Sequence, residues 1–176
     1  MAAADRATGL DPVRMAAWRA FLAAHARTTA RLERELQAGE DLPLAWYDVM
    51  VQLSEGPSGG LRMQELADRV LLSQSGLTRL VDRMEAAGLV ERHRCAEDGR
   101  GTLAVLTRAG LNRLRRAYPS HLAGVRDAFA DLLSDEEAEV LARALQRVAA
   151  ASEPAPGTAA GTAAGTDAGT CGDARG

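Results

Sequence analysis

Fifty residues, from Leu61 to Gly110, restrict the fold more than any other part of the chain. Met63, Leu66, Ala67 and Val70 recur at i, i+3, i+4 and i+7, the spacing that lines one face of an α-helix with apolar side chains. Leu77, Leu80, Val81 and Met84 repeat that spacing after a tight break, and the hydroxyl of Ser73 can cap the second helix. The opposite side of this second helix carries Gln74, Ser75, Thr78, Arg79 and Arg83, a row of hydrogen-bonding groups and positive charge. Gly88 stands where a left-handed helix cap is commonest. Residues 89–95 and 102–106 then read as strands, joined by Ala96-Glu97-Asp98-Gly99-Arg100-Gly101, whose Asp-Gly and second Gly permit a tight reversal. Thr107 can cap the helix that follows. Helix, break, helix and basic hairpin in this order predict a winged helix-turn-helix. A helix offering Gln, Ser and Thr near its start, with Arg beyond, suits the DNA major groove, where base edges present donors and acceptors between walls of phosphate.

A net charge of −3 at first opposes a nucleic-acid partner. The charge is segregated, however. From Leu61 to Arg116 there are eleven Arg against seven Asp and Glu, so this region carries +4 and the remainder −7. All 21 basic residues are Arg, the side chain best suited to bidentate contacts with guanine and phosphate. A basic face on an acidic body supplies the electrostatic attraction where the duplex lies.

The stretch LADRVLLSQSGLTRLVDRMEAAGLVERHRCAEDGRGTLAVLTRAG resembles the DNA-binding core of the MarR family, the multiple-antibiotic-resistance type of regulator. The resemblance rests on Leu66-Ala67, Ser73-Gln74-Ser75, the run from Leu77 to Arg83, Gly88-Leu89-Val90-Glu91-Arg92, Asp98 and Arg100, and Leu106-Thr107 with Gly110. It extends more loosely over residues 10 to 150. One departure is a short wing with few basic residues. The resemblance implies a mainly α fold with a small β-wing, in which N- and C-terminal helices flank the winged helix-turn-helix and dimerise. It further implies a homodimeric, sequence-specific DNA-binding transcriptional regulator on a palindromic operator, acting as a repressor that a ligand relieves. DNA contact then falls to Ser73, Gln74, Ser75, Thr78, Arg79, Arg83 and Arg94, with Arg100 at the wing tip entering the minor groove and Asp98 orienting it. The expected layout is a flexible N-terminus over 1–10 and a MarR-type domain over 11–151. Within that domain the winged helix-turn-helix spans about 44–107, and dimerisation helices span about 11–38 and 108–150.

The flanks agree with this layout. Asp11-Pro12 is a strong helix start, and a break is expected over Gly39 to Asp41 before Pro43 opens a second helix bearing Trp46, Val49, Met50 and Leu53. Gly56-Pro57-Ser58-Gly59-Gly60 reads as a loop. Beyond the wing, Leu111, Leu114, Tyr118, Leu122, Val125, Phe129 and Leu132 step by three and four, with a kink expected at Pro119. Ser134-Asp135-Glu136-Glu137 is a capping-box signature ahead of Leu141, Ala144, Leu145 and Val148. Residues 152–176 hold no large apolar side chain, repeat Gly, Ala and Thr, and are expected to be disordered and dispensable for DNA binding.

The family often binds small anionic or aromatic molecules in a cleft between dimerisation helices and winged helix. The resemblance therefore implies an effector, for which Arg14, Trp18, His25 and Arg27 on the first helix and Trp46, Tyr47 and Asp48 on the second offer a cation, aromatic walls and a hydrogen-bond partner. No catalytic constellation, cofactor motif or metal-ligand spacing stands out among His25, His93 and His121. Cys95 lies beside Arg92 and Arg94, which would favour its thiolate, so an oxidant-sensing repressor is an alternative; an incidental cysteine is the simpler reading. Cys95 and Cys171 make no disulfide framework, and no apolar run is long enough to span a bilayer, which gives a cytoplasmic expectation. A winged-helix protein-interaction module without DNA binding is the remaining rival, disfavoured by the polar outer face of the second helix.

Overall fold

The computed structural model describes residue 9 and residues 11–70, 74–94 and 101–152. Helix α1 (Pro12–Glu40) starts where the sequence places it, with Asp11 accepting hydrogen bonds from the Val13 and Arg14 amides. It does not stop at Gly39. The helix runs on to Glu40, and the chain turns at Asp41, whose backbone is left-handed (φ 49°) and whose amide bonds the Gln37 carbonyl at 3.1 Å. A lone Gly costs a helix only about 1 kcal/mol, and the end of α1 has outside support. The guanidinium of Arg113 donates to the carbonyls of Glu40 and Asp41, satisfying acceptors that a helix terminus leaves unpaired.

Helix α2 (Leu44–Glu55) follows Pro43, and Glu33 of α1 accepts from its first amide at 2.8 Å. The expected loop over 56–60 contains a single 3₁₀ turn (Pro57–Gly59) and then enters a strand that the sequence does not announce, β1 (Gly60–Arg62). This strand pairs antiparallel with β3 (Thr102–Leu106), in register Leu61 with Ala104, and β3 pairs in turn with β2 (Val90–Arg94), so the sheet order is β1-β3-β2. A Cβ on Gly60 would stand 2.9 Å from the Ala104 carbonyl oxygen, so glycine permits this close backbone approach.

Between β1 and β2 lie α3 (Met63–Arg69) and α4 (Gln74–Ala86). Their apolar stripes face inward as the spacing requires: Leu66, Val70, Leu77, Val81 and Met84 are all but inaccessible and pack with Val49, Met50 and Leu53 of α2 and with Leu61 and Val90. Helix α4 ends in a Schellman motif. Gly88 takes φ 71°, its amide bonds the Glu85 carbonyl, and the Leu89 amide bonds the Met84 carbonyl.

Helix α5 (Arg108–Ala128) is capped by Thr107 and runs through Pro119 as one element; after a 3₁₀ turn (Ala130–Leu132), α6 (Asp135–Ser152) completes the described chain. The capping box expected at Ser134 is formed reciprocally with Glu137. Ser152, expected in the tail, is the last residue of α6. The rest of that tail and nearly all of residues 1–10 lie outside the described residues. Helices α1 and α5 pack along each other, with Gly124 of α5 against Leu32 and Glu35 of α1.

Candidate nucleic-acid interface

Helix α4 is the centre of the candidate site. At about 3.6 residues per turn, the buried stripe leaves Ser75, Arg79 and Arg83 on the opposite, exposed side. Thr78, Asp82 and Glu85 lie along the flank that faces the sheet. Ser75, Thr78, Arg79 and Arg83 are all exposed, Thr78 on the flank toward β2 and the other three on the side away from the core. Ser73, Asp98 and Arg100, together with Cys95 and the side chains of Gln74 and Arg94, lie outside the described residues.

A residue that the sequence reading left out of the DNA-contact set ties this surface together. Arg92 on β2 donates from Nη1 to Asp82 Oδ1 (2.6 Å) and Glu85 Oε2 (2.8 Å) and from Nη2 to the Thr78 carbonyl (3.2 Å); Glu85 Oε1 accepts the Arg92 amide at 3.2 Å. Alternation along the strand marks Arg92 as opposite in sense to Val90's neighbours, but only the fold shows which acids it meets. The far end of α4 is held as firmly. The Thr107 hydroxyl donates to the Gly88 carbonyl (2.8 Å) and accepts from the Gly110 amide (2.9 Å), while the Thr107 amide bonds Leu89 (3.1 Å). The end of α4 and the start of α5 thus share one joint.

Residues 40–101 match the model of the MarR family. An HTH-type transcriptional regulator of Bacillus cereus is 32% identical over 123 residues, spanning 70% of this chain and 80% of that relative. AbsC, a MarR family transcriptional regulator from Streptomyces coelicolor, has a crystal structure similar at TM-score 0.76 and 38% identity, covering 81% of this chain and 96% of its own. The chain belongs to the MarR family of transcriptional regulators. Sco3205, a MarR family regulator from the same organism crystallised in complex with DNA, is similar at TM-score 0.80 and 34% identity over 86% of this chain and 95% of that one. The mainly helical fold with a small three-stranded antiparallel sheet is the winged helix that family membership entails.

The effector candidates of this MarR-type chain do not form one pocket. Arg14, Trp18 and His25 line a groove of about 760 Å³ between α1 and α6, opposite Leu141, Leu145 and Val148. Arg14 also pairs with Asp11 at the helix cap, which raises its pKa and lowers that of Asp11. Arg27 is exposed on α1 away from that lining. On α2, Trp46 packs against the core, Tyr47 is buried, and Asp48 remains exposed. Three consecutive helical residues point in different directions, so α2 cannot present all of them to a ligand shared with Arg14 and His25.

Tyr47 and Asp48 have another neighbour. The ring of His121 on α5 lies 4.2 Å from that of Tyr47, and its buried Nδ1 has no hydrogen-bond partner. Desolvation holds the His121 imidazole below its ordinary pKa, an effect the Asp48 carboxylate partly offsets. Desolvation likewise pushes the Asp48 carboxyl up, against a hydrogen bond from Gln52 and the attraction of His121, and pushes the Tyr47 phenol up with a contribution from Tyr118. In the sequence His121 stands only as one of three histidines, with His25 and His93, that fall in no catalytic or metal-binding motif. Among the described residues no helix is long and apolar enough to cross a membrane, and no cluster of His, Cys, Asp and Glu has the makings of a metal site.

Proposed function

We propose that the protein is a homodimeric repressor that binds a palindromic operator, α4 in the major groove and the wing over the adjacent minor groove, and that a small aromatic or anionic effector relieves it. The observation that carries the dimer is the placement of exposed apolar side chains. Among the described residues they are Val13, Trp18, Phe21 and Leu22 on α1, Tyr118 and Leu122 on α5, Phe129 and Leu132 beyond it, and Val140 and Val148 on α6. All lie outside the α2 to β3 body. Such a concentration on α1, on α5 with the turn after it, and on α6 supports the reading that another chain covers this surface, and a two-fold pair of α4 helices would match a two-fold operator. The groove holding Trp18 and Phe21 is accordingly read as dimer interface.

The effector is assigned instead to the junction of α2 and α5, around Tyr47, Asp48 and His121. There the helix that belongs to the winged body meets the long helix outside it, so a ligand can favour one relative arrangement over another. The test combines sedimentation velocity with a binding titration. The wild-type protein is expected to sediment as a dimer and to bind a duplex that it selects from a randomised library, with strong salt dependence. The double variant Trp18→Glu/Phe21→Glu is expected to sediment as a monomer and to lose most of that affinity. A variant that remains dimeric refutes the interface; a wild-type protein that selects no duplex refutes the repressor.

A further inference from the structure

We infer that Arg92 is a positioning residue for DNA recognition: without touching the duplex, it sets the roll of α4 against the wing and so the direction in which Arg79 and Arg83 point. The inference rests on the reading of α4 as the DNA-facing helix. Its basis is where the guanidinium goes. The hydrogen bonds of Arg92 run to Thr78, Asp82 and Glu85, at i, i+4 and i+7, so a single planar fork spans nearly two turns of one flank of α4. Its side chain is 21% exposed, against 54% for Asp82 and 40% for Glu85, which places Arg92 inside the angle between helix and sheet. A cleft of about 500 Å³ opens there, with Arg92 in its lining beside Thr78, Asp82, Thr102, Arg62 and Gln64. The inner face of α4 is held by apolar packing, which resists separation but tolerates small rotations about the helix axis. A rigid fork bonded along one flank opposes that rotation.

Arg92 has a second effect. Asp82 and Glu85 are carboxylates on a helix that must approach phosphate, and Arg92 leaves the three-residue cluster at −1 where its loss would leave −2. Charge and geometry can be separated. Arg92→Lys keeps the charge but offers one ammonium in place of the fork. Arg92→Gln/Asp82→Asn keeps the cluster at −1 and removes the fork altogether. The probes are the duplex selected by the wild-type protein and a scrambled duplex of the same composition, each titrated over a range of salt, with Arg79→Ala measured alongside.

Both Arg92 variants are expected to melt cooperatively and to remain dimers. Their preference for the selected duplex should fall by about tenfold, the scale of one well-aimed base contact, while the slope of affinity against salt stays that of the wild type. A fork that acts only by charge would leave the preference intact in both variants, and that result overturns the proposal. Loss of a cooperative melt in both would assign Arg92 to the fold and overturn it equally. If Arg79→Ala loses the preference while the Arg92 variants keep it, the positioning role fails and the DNA-facing reading of α4 survives. If the wild-type protein itself discriminates between no duplexes, both fall.

Discussion

Gly110→Ala sets two known effects against each other at the joint between α4 and α5. Gly110 lies in the first turn of α5, where alanine is ordinarily the better helix former by about 1 kcal/mol. Taken alone, propensity predicts a more stable protein. The surroundings predict the reverse. A methyl on Gly110 would fall inside contact distance of the Leu89 carbonyl oxygen and 2.7 Å from Leu106 Cδ1. Leu106 can rotate, but the Leu89 oxygen is backbone and already accepts the Thr107 amide at 3.1 Å. Overpacking of this kind costs about 1–3 kcal/mol, and a rigid neighbour places it at the upper end. Subtracting the propensity gain leaves a net loss of about 2 kcal/mol, or a fall in Tm of roughly 4–8 °C for a domain of this size. Thermal melts followed by circular dichroism check this, with both proteins at one concentration because the stability of any self-associating protein depends on it. A variant melting at or above the wild-type temperature would refute the reasoning, since it would mean that α5 can move off Leu89 without loss.

Two further tests address the DNA face and the junction of α2 with α5. Arg79→Ala is expected to compress the preference for the selected duplex by about 1–3 kcal/mol, while Arg100→Ala should weaken all duplexes together and reduce the salt slope by about 1; equal weakening by Arg79→Ala would make that residue a phosphate clamp. His121 has a folded pKa below its ordinary 6.5, so the packed state binds the proton less well than the unfolded chain, and the stability present above pH 6.5 is lost as the pH falls below it. Asp48 is shifted upward from 3.8, so its contribution runs in the opposite sense and in a more acidic window. His121→Phe, which can keep the stack on Tyr47, should therefore flatten the decline in Tm between pH 7.5 and pH 5.5, read by thermal melts; a parallel decline in both proteins would remove His121 from the account.

What the sequence discloses and what it conceals divide along the range of the interactions. The stripes of α3 and α4, the Gly88 cap, the Thr107 cap and the Ser134 box are each decided by residues within a turn or two of one another, and each stands where periodicity and capping rules put it. Strand β1 escapes because three residues after a Gly-rich turn carry no period of their own; they become a strand only by pairing with β3, more than forty residues on. The end of α1 is misjudged for a related reason, since Arg113, remote in sequence, supplies the donors that let the helix run past Gly39. Arg92 and His121 are the same case among the candidate site residues. Each is unremarkable along its own element and becomes significant through partners on another, Asp82 and Glu85 for the first and Tyr47 for the second. The effector candidates on α2 show the converse. Trp46, Tyr47 and Asp48 are neighbours in sequence, and a helix sends neighbours in different directions.

These long-range contacts bear on how an effector can act. Helix α4 is bonded to β2 through Arg92 and, at its end, to the start of α5 through Thr107, which opposes an independent turn out of a groove. These bonds tie the winged body to the first turn of α5, so on the proposed reading the two shift together, through a change in the angle that α5 makes with the helices outside that body. Small angles suffice. Helix α5 has 21 residues, about 31 Å of helix at roughly 1.5 Å per residue, so a tilt of about 5° over that length moves the far end by almost 3 Å. Hydrogen bonds to base edges tolerate only a few tenths of an ångström. On the proposed reading, an effector that bears on the Tyr47–His121 contact therefore need not melt or rotate anything in order to break the match between the paired α4 helices of a dimer and two successive grooves. It need only favour a slightly different packing of α2 on α5, the place where a buried imidazole nitrogen already lacks a partner.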